Sequence, residues 1–154
     1  MKVLFVCAGN TCRSPMAKAI LEQLASQKKG LEGLVIDSAG TCASTGARAT
    51  REAICVLQEL LGRDISGHTA KRVTPDLING SDLILCMERG HKDAVLQLVP
   101  SSKDKVFLLA DYAGRGEEVR DPLGCGIEAY KDCAQQLREM LGAVLEKMIK
   151  NWVP

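Results

Sequence analysis

The chain has 154 residues, the size of one ordinary domain, and at that length folding buries roughly 70% of the surface the unfolded chain exposes. Twenty basic residues face nineteen acidic ones, for a net charge of +1, so bulk charge selects neither nucleic acid nor an anionic membrane as partner. Hydrophobic residues make up 46% and charged residues 25%, a globular balance, and no apolar run approaches the roughly 20 residues of a membrane span.

The elements follow in chain order. Lys2 to Cys7 is short, Val- and Phe-rich and ended by Gly9-Asn10, the pattern of a buried strand. The apolar run Val3 to Ala8 is too short for a signal-peptide core, so the protein reads as cytoplasmic. Ser14-Pro15 predicts a helix start, with Ser14 as N-cap and Pro15 at the first helical position. Ala17, Ile20, Leu21 and Leu24 give that helix one apolar face, and Gly30 marks its end. Leu34 to Ser38 predicts a second strand and Gly40 to Gly46 a loop. Thr50 to Leu61 predicts a helix with Ala53, Ile54, Leu57, Leu60 and Leu61 inward. Thr74-Pro75 opens a short helix, Leu83 to Met87 is a third strand, Arg89 to Leu98 a helix and Val106 to Ala110 a fourth strand. A polar loop runs from about Asp111 to Gly126. The last helix, about Ile127 to Lys150, has Leu137, Leu141, Val144, Leu145 and Met148 on its core face, and Trp152 is expected to anchor it.

Strands alternating with helices predict a three-layer α/β/α domain over residues 1–154, with a four-stranded parallel sheet covered on both faces. In such folds ligands bind beyond the carboxyl ends of the strands. The seven cysteines are odd in number and include no C-x-x-C pair, and the two histidines, His68 and His91, are far apart in sequence. No metal site and no cofactor are expected. Cys55, Cys86 and Cys133 read as small buried hydrophobes.

The segment Cys7-Ala8-Gly9-Asn10-Thr11-Cys12-Arg13-Ser14 carries the chemistry. A loop leaving a strand and entering a helix N-terminus converges its N–H groups on one point, where the helix dipole adds positive charge. Gly9 lets the backbone curl, and Asn10 tolerates the left-handed region. Arg13, six residues after Cys7, returns a planar fork to the thiol if the loop curls through about 180°, and that fork binds two phosphoryl oxygens at once. A thiol at the focus of these groups has its pKa lowered to roughly 3.5–7.5 and is a ready nucleophile. Ser14 can donate to the sulfur. The Gly-Lys-[Ser/Thr] of a nucleotide-binding P-loop is missing.

This loop resembles the signature of the low-molecular-weight protein tyrosine phosphatase family. Asp37-Ser38-Ala39-Gly40, Gly67-His68-Thr69-Ala70, the strand Asp82 to Met87 and Asp121-Pro122-Leu123-Gly124 fall where that family has matching motifs. The resemblance implies a metal-free enzyme acting on phosphorylated protein substrates through a phosphocysteine. Cys7 would attack phosphorus, Arg13 would bind the phosphoryl oxygens with the rest of the loop (Ala8, Gly9, Asn10, Thr11, Cys12 and Ser14), and Asp121 would act as acid and then base. An Asp-Pro-x-Gly segment alone is a turn; only the resemblance promotes Asp121. Asn10, Ser38 and His68 would hold the loop in shape, and Cys12 matches the family's second loop cysteine, a partner for Cys7 in a reversible protective disulfide.

Thr11 and Leu123 bear on the substrate. Most tyrosine phosphatases of the family carry an aliphatic residue before the second cysteine, whereas the bacterial protein-arginine-phosphatase subgroup resembles this chain in its Gly-Asn-Thr-Cys-Arg-Ser. The tyrosine enzymes sandwich the phenol between aromatic walls; here Leu123 takes one such position, and Thr41 to Ala49 holds no aromatic residue. Leu123 also departs from the arginine subgroup, which usually has an aromatic there. The expected substrate is protein phosphoarginine, with phosphotyrosine as the alternative. The family's arsenate reductases need further redox cysteines; Cys86 and Cys125 are present but not as a close pair. A phosphoprotein-binding module without catalysis would be expected to lack the nucleophile or the acid.

Overall fold

A computed structural model describes residues 1–151, so the expectation for Trp152 lies outside the described residues. Strands β1 (Lys2–Cys7), β2 (Val35–Gly40), β3 (Leu83–Cys86) and β4 (Val106–Leu108) form one sheet in the order β2-β1-β3-β4. Every pairing is parallel, with Cys7 opposite Gly40 and Val6 opposite Cys86. The helices are α1 (Arg13–Ser26), α2 (Arg51–Leu61), α3 (Pro75–Asn79), α4 (Arg89–Leu98), α5 (Leu109–Tyr112) and α6 (Ile127–Asn151), with a 3-10 turn over Pro100–Lys105.

Alternation along β1 divides the interior. Val3, Phe5 and Cys7 point into a core shared with α1, α2 and α6, where Leu137, Leu141, Val144, Leu145 and Met148 are all buried. Leu4 and Val6 point to the opposite layer, against Ile78 of α3 and Val95 of α4. A strand buried on both faces must be apolar throughout, which explains the unbroken Val-Leu-Phe-Val run. Its carboxyl end, and with it Cys7, emerges at the middle of the sheet.

Several boundaries differ from those read in the sequence. Helix α1 starts at Arg13, one residue before Ser14, and Cys12 holds the cap position without a side-chain bond. The Ser14 hydroxyl cannot cap because it lies against the Cys7 sulfur. Helix α1 also ends at Ser26, and Gly30 falls in the following turn with φ +85°. β2 runs on to Gly40 because its last residues pair with Val6 and Cys7. β4 stops at Leu108, since β3 offers partners only through Cys86; Leu109 to Tyr112 then form a helical turn, not strand and loop. In α2 the buried stripe is Ala53, Val56 and Leu57, the i, i+3, i+4 set. Ile54, Leu60 and Leu61 are half-buried, and Cys55 is exposed on the outer side, unlike the buried Cys86 and Cys133.

Candidate active site

The loop from Cys7 to Ser14 curls around the Cys7 sulfur, which is 1% exposed. The Asn10 N–H reaches that sulfur at 3.3 Å and Ser14 Oγ lies 2.9 Å from it. Because Asn10 Nδ2 donates to Ser14 Oγ at 2.8 Å, the Ser14 hydroxyl hydrogen is free to point at sulfur.

Asn10 is the hub of the loop. It is the one non-glycine residue at positive φ among the described residues, at 55°, a conformation that asparagine adopts more readily than most. Its Nδ2 also donates to Ser38 Oγ at 3.0 Å, and its Oδ1 accepts the Lys71 N–H at 2.9 Å. Its carbonyl lies 2.7 Å from His68 Nε2, so that nitrogen carries the proton. His68 has its pKa lowered, chiefly by burial, against the opposing pull of this bond. Lys71 in turn pairs with Asp37 at 2.6 Å. Loss of the Asn10 side chain leaves Ser14, Ser38 and the Lys71 N–H short of a partner in a buried place. Asn10→Ala is expected to cost about 2–4 kcal/mol of stability, read as a lower denaturant midpoint at unchanged slope.

β2 shapes the loop from the other side. A methyl group built on Gly40 would lie 2.4 Å from the Ala8 carbonyl oxygen and 2.9 Å from the Asn10 nitrogen, so the backbones approach as only glycine permits. Thr41 N–H and Cys42 N–H donate to the carbonyls of Cys7 and Ala8, each at 2.9 Å. Thr11 is tied to α2 through its carbonyl, which accepts the Thr50 N–H at 2.9 Å. Gly9 faces the Thr11 hydroxyl.

Arg13 is 2% exposed. Its Nη1 donates to the Val119 carbonyl at 2.9 Å and faces Glu88 Oε2 at 3.3 Å, and its Nη2 faces Asp121 Oδ2 at 3.5 Å. Its Nε is buried with no protein partner. Asp121 is thus brought to the loop from 108 residues away, and its Oδ1 accepts the Leu123 N–H at 3.1 Å. Cys12 points its thiol at Asp121 Oδ1, 3.7 Å away. Burial first, and then the charges of Cys7 and Asp121, push the Cys12 pKa up to about 12, so Cys12 stays a thiol at neutral pH. Both loop cysteines are free. Leu123, two residues beyond Asp121, is 59% exposed. Beside Asp121 opens a groove of about 760 Å³ lined by Glu88, Glu117, Glu118, Arg120, Pro122 and Asp132, among others.

Residues 2–153 match the family described as low molecular weight phosphotyrosine protein phosphatase. The chain belongs to that family. It is 36% identical to a protein-arginine-phosphatase of Geobacillus stearothermophilus over 96% of this chain and 95% of the relative. The probable low molecular weight protein-tyrosine-phosphatase AmsI of Erwinia amylovora is 34% identical over 98% and 94%. Among solved structures, the YwlE arginine phosphatase from Geobacillus stearothermophilus superposes with a TM-score of 0.88 at 35% identity, over 97% of this chain and 94% of that one. The protein is therefore a hydrolytic phosphatase of this family, and its four-stranded parallel sheet is the family's fold.

Sequence reasoning singled out Cys7, Asn10, Arg13, Ser14, Ser38, His68 and Asp121, and the fold brings all of them to one place. It missed Glu88 and His91, the Lys71 N–H, the Val119 carbonyl and the close approach at Gly40. The Lys71 and Val119 contacts are backbone groups with no residue-type signal. Glu88 follows β3 directly, and its place after a strand end was the one available clue.

Proposed function

We propose that this enzyme dephosphorylates phosphoarginine in proteins, in the cytoplasm, as a single domain. Cys7 attacks phosphorus, forming an S–P bond as the P–N bond to the guanidine breaks. Asp121 gives its proton to the departing nitrogen. A water then attacks the phosphocysteine while Asp121 takes the water's proton, releasing inorganic phosphate and the Cys7 thiolate. Arg13 offers the phosphoryl oxygens its fork, including the Nε that no protein atom occupies. Loop N–H groups converge on the same anion, and Asn10, Ser38 and His68 keep them there.

The observation that carries the choice of substrate is Thr11. In the loop around Cys7 it supplies a hydroxyl in place of an aliphatic side chain, which suits a planar, donor-rich guanidine better than a phenyl ring. The rim agrees. Phe5 and Tyr130 lie in the core, Phe107 and Tyr112 meet each other at a tilt with ring centres 5.2 Å apart, and Leu123, two residues beyond Asp121, is exposed. Loss of ring stacking removes roughly 0.5–1.5 kcal/mol per pair from phenol recognition. The arginine phosphatase of Geobacillus stearothermophilus is among the most similar relatives. Phosphotyrosine is the second reading, favoured by relatives such as AmsI; Leu123, where both subgroups carry an aromatic residue, favours neither substrate.

Matched peptides carrying phosphoarginine or phosphotyrosine decide between the two. The expected kcat/KM is higher on phosphoarginine, and Thr11→Ile is expected to shift the ratio toward the aryl substrate by about tenfold, on the scale of one apolar pocket contact. Faster turnover of phosphotyrosine by the unaltered enzyme sinks the arginine assignment.

A further inference from the structure

His91 lies one helical turn inside α4 and is 7% exposed. Its Nδ1 accepts the Glu88 N–H at 3.1 Å, the histidine half of a capping box at the helix start, while the His91 N–H donates to the Glu88 carbonyl at 3.1 Å. An accepting Nδ1 is unprotonated, so the neutral ring carries its hydrogen on Nε2. That Nε2 faces Glu88 Oε2 at 3.6 Å, and the same oxygen faces Arg13 Nη1 at 3.3 Å. One carboxylate oxygen is therefore shared between the imidazole and the guanidinium expected to grip phosphate.

We propose that His91 is a positioning residue for Arg13, acting through Glu88, and that it performs this task only while its ring is neutral. Protonation turns Nδ1 into a donor facing the donor N–H of Glu88, which opens the box. It also sets a second cation against Glu88 Oε2 in competition with Arg13. The charges facing the ring are Arg13 from α1, Glu88 at the start of its own helix, and Asp121 and Glu118 from the loop before α6. Burial first, and the Arg13 charge second, lower the His91 pKa below the ordinary 6.5, while the three carboxylates pull it up. The ring is thus neutral at neutral pH, and its grip on Glu88 fails as acidity increases. Site loss on the acid side then has a component that belongs to neither Cys7, Asp121 nor the substrate.

The inference rests on the phosphatase reading, and two measurements separate them. The first is kcat/KM on para-nitrophenyl phosphate from about pH 7.5 to about pH 5, expressed as the ratio of variant to unaltered enzyme, so that substrate ionisation cancels. His91→Ala is expected to lower kcat/KM about tenfold at neutral pH. His91→Gln supplies a non-titrating acceptor at the third helical position, the usual partner in such a box. It is expected to recover most of that loss and to gain on the unaltered enzyme by about threefold or more as pH falls. The second is sulfate affinity at neutral pH, which needs no turnover: about threefold to tenfold weaker in H91A, recovered in H91Q. A flat H91Q ratio across pH, or undiminished sulfate binding and turnover in H91A, overturns the proposal. If H91A fails to fold, the H91Q ratio decides. Sulfate binding that follows this pattern in a protein releasing no phosphate would leave His91 in place and remove the phosphatase reading.

Discussion

Phosphate release from a phosphoarginine protein is expected to fall by at least about 10⁴-fold when Cys7 is replaced by serine, the scale on which hydrolases lose rate with their nucleophile. An alcohol is far less acidic than a thiol, and the shorter C–O bond draws a serine oxygen back from the Asn10 N–H, which lies 3.3 Å from the sulfur. Any phosphoserine that forms also stalls, because an alkoxide leaves phosphorus less readily than a thiolate. The fold is expected to persist, since the smaller oxygen fits a site that is 1% exposed. Thermal melts and phosphate release on the same preparation check both halves. Residual release above about one part in a hundred would place the nucleophile elsewhere.

Asp121→Asn is expected to lower kcat/KM on phosphoarginine by about 10³–10⁴-fold, the upper part of the range for general acid catalysis. The departing group explains the size. A guanidine has a conjugate-acid pKa of about 12.5–13.8, so it cannot leave as an anion and must receive a proton as the P–N bond breaks. Nitrophenolate leaves unaided. The same substitution should therefore cost para-nitrophenyl phosphate only about tenfold in kcat/KM, while its kcat falls further on the proposal that Asp121 also serves phosphocysteine hydrolysis. Arg13 keeps the Val119 carbonyl and Glu88 as partners, so anion binding should survive. Equal losses on the two substrates would show that Asp121 acts through Arg13 and not on the leaving group.

Elements were legible in the sequence where a local signal had no rival. β1 and α4 run as their apolar patterns imply, and Thr50 and Thr74 cap α2 and α3 through their side chains. The start of α1 was misplaced because Ser-Pro is a strong capping signal that tertiary structure overrides: the Ser14 hydroxyl belongs to the sulfur and to Asn10. The end of β4 was misplaced because a strand lasts only as long as its neighbour, and β3 stops at Cys86. In the site, Cys7 and Arg13 were readable because their spacing is local. Asp121 needed the family resemblance, since nothing in an Asp-Pro turn says that it returns to a loop 108 residues earlier. Glu88 and His91 escaped because their link to Arg13 depends on the sheet order that sets β3 beside β1.

Asn10 draws its partners from Ser38, His68 and Lys71, at separations of 28, 58 and 61 residues, and Arg13 waits for Val119, 106 residues on. Cys7 precedes all of these partners in the chain, so during synthesis it emerges before them, and the contacts around it are assembled only once residues as far on as Val119 have folded back. A nascent or half-folded molecule therefore carries an unremarkable cysteine and an idle arginine. The reactivity proposed for Cys7 therefore depends on completion of the tertiary structure, and the topology that builds the site also withholds it from incomplete copies.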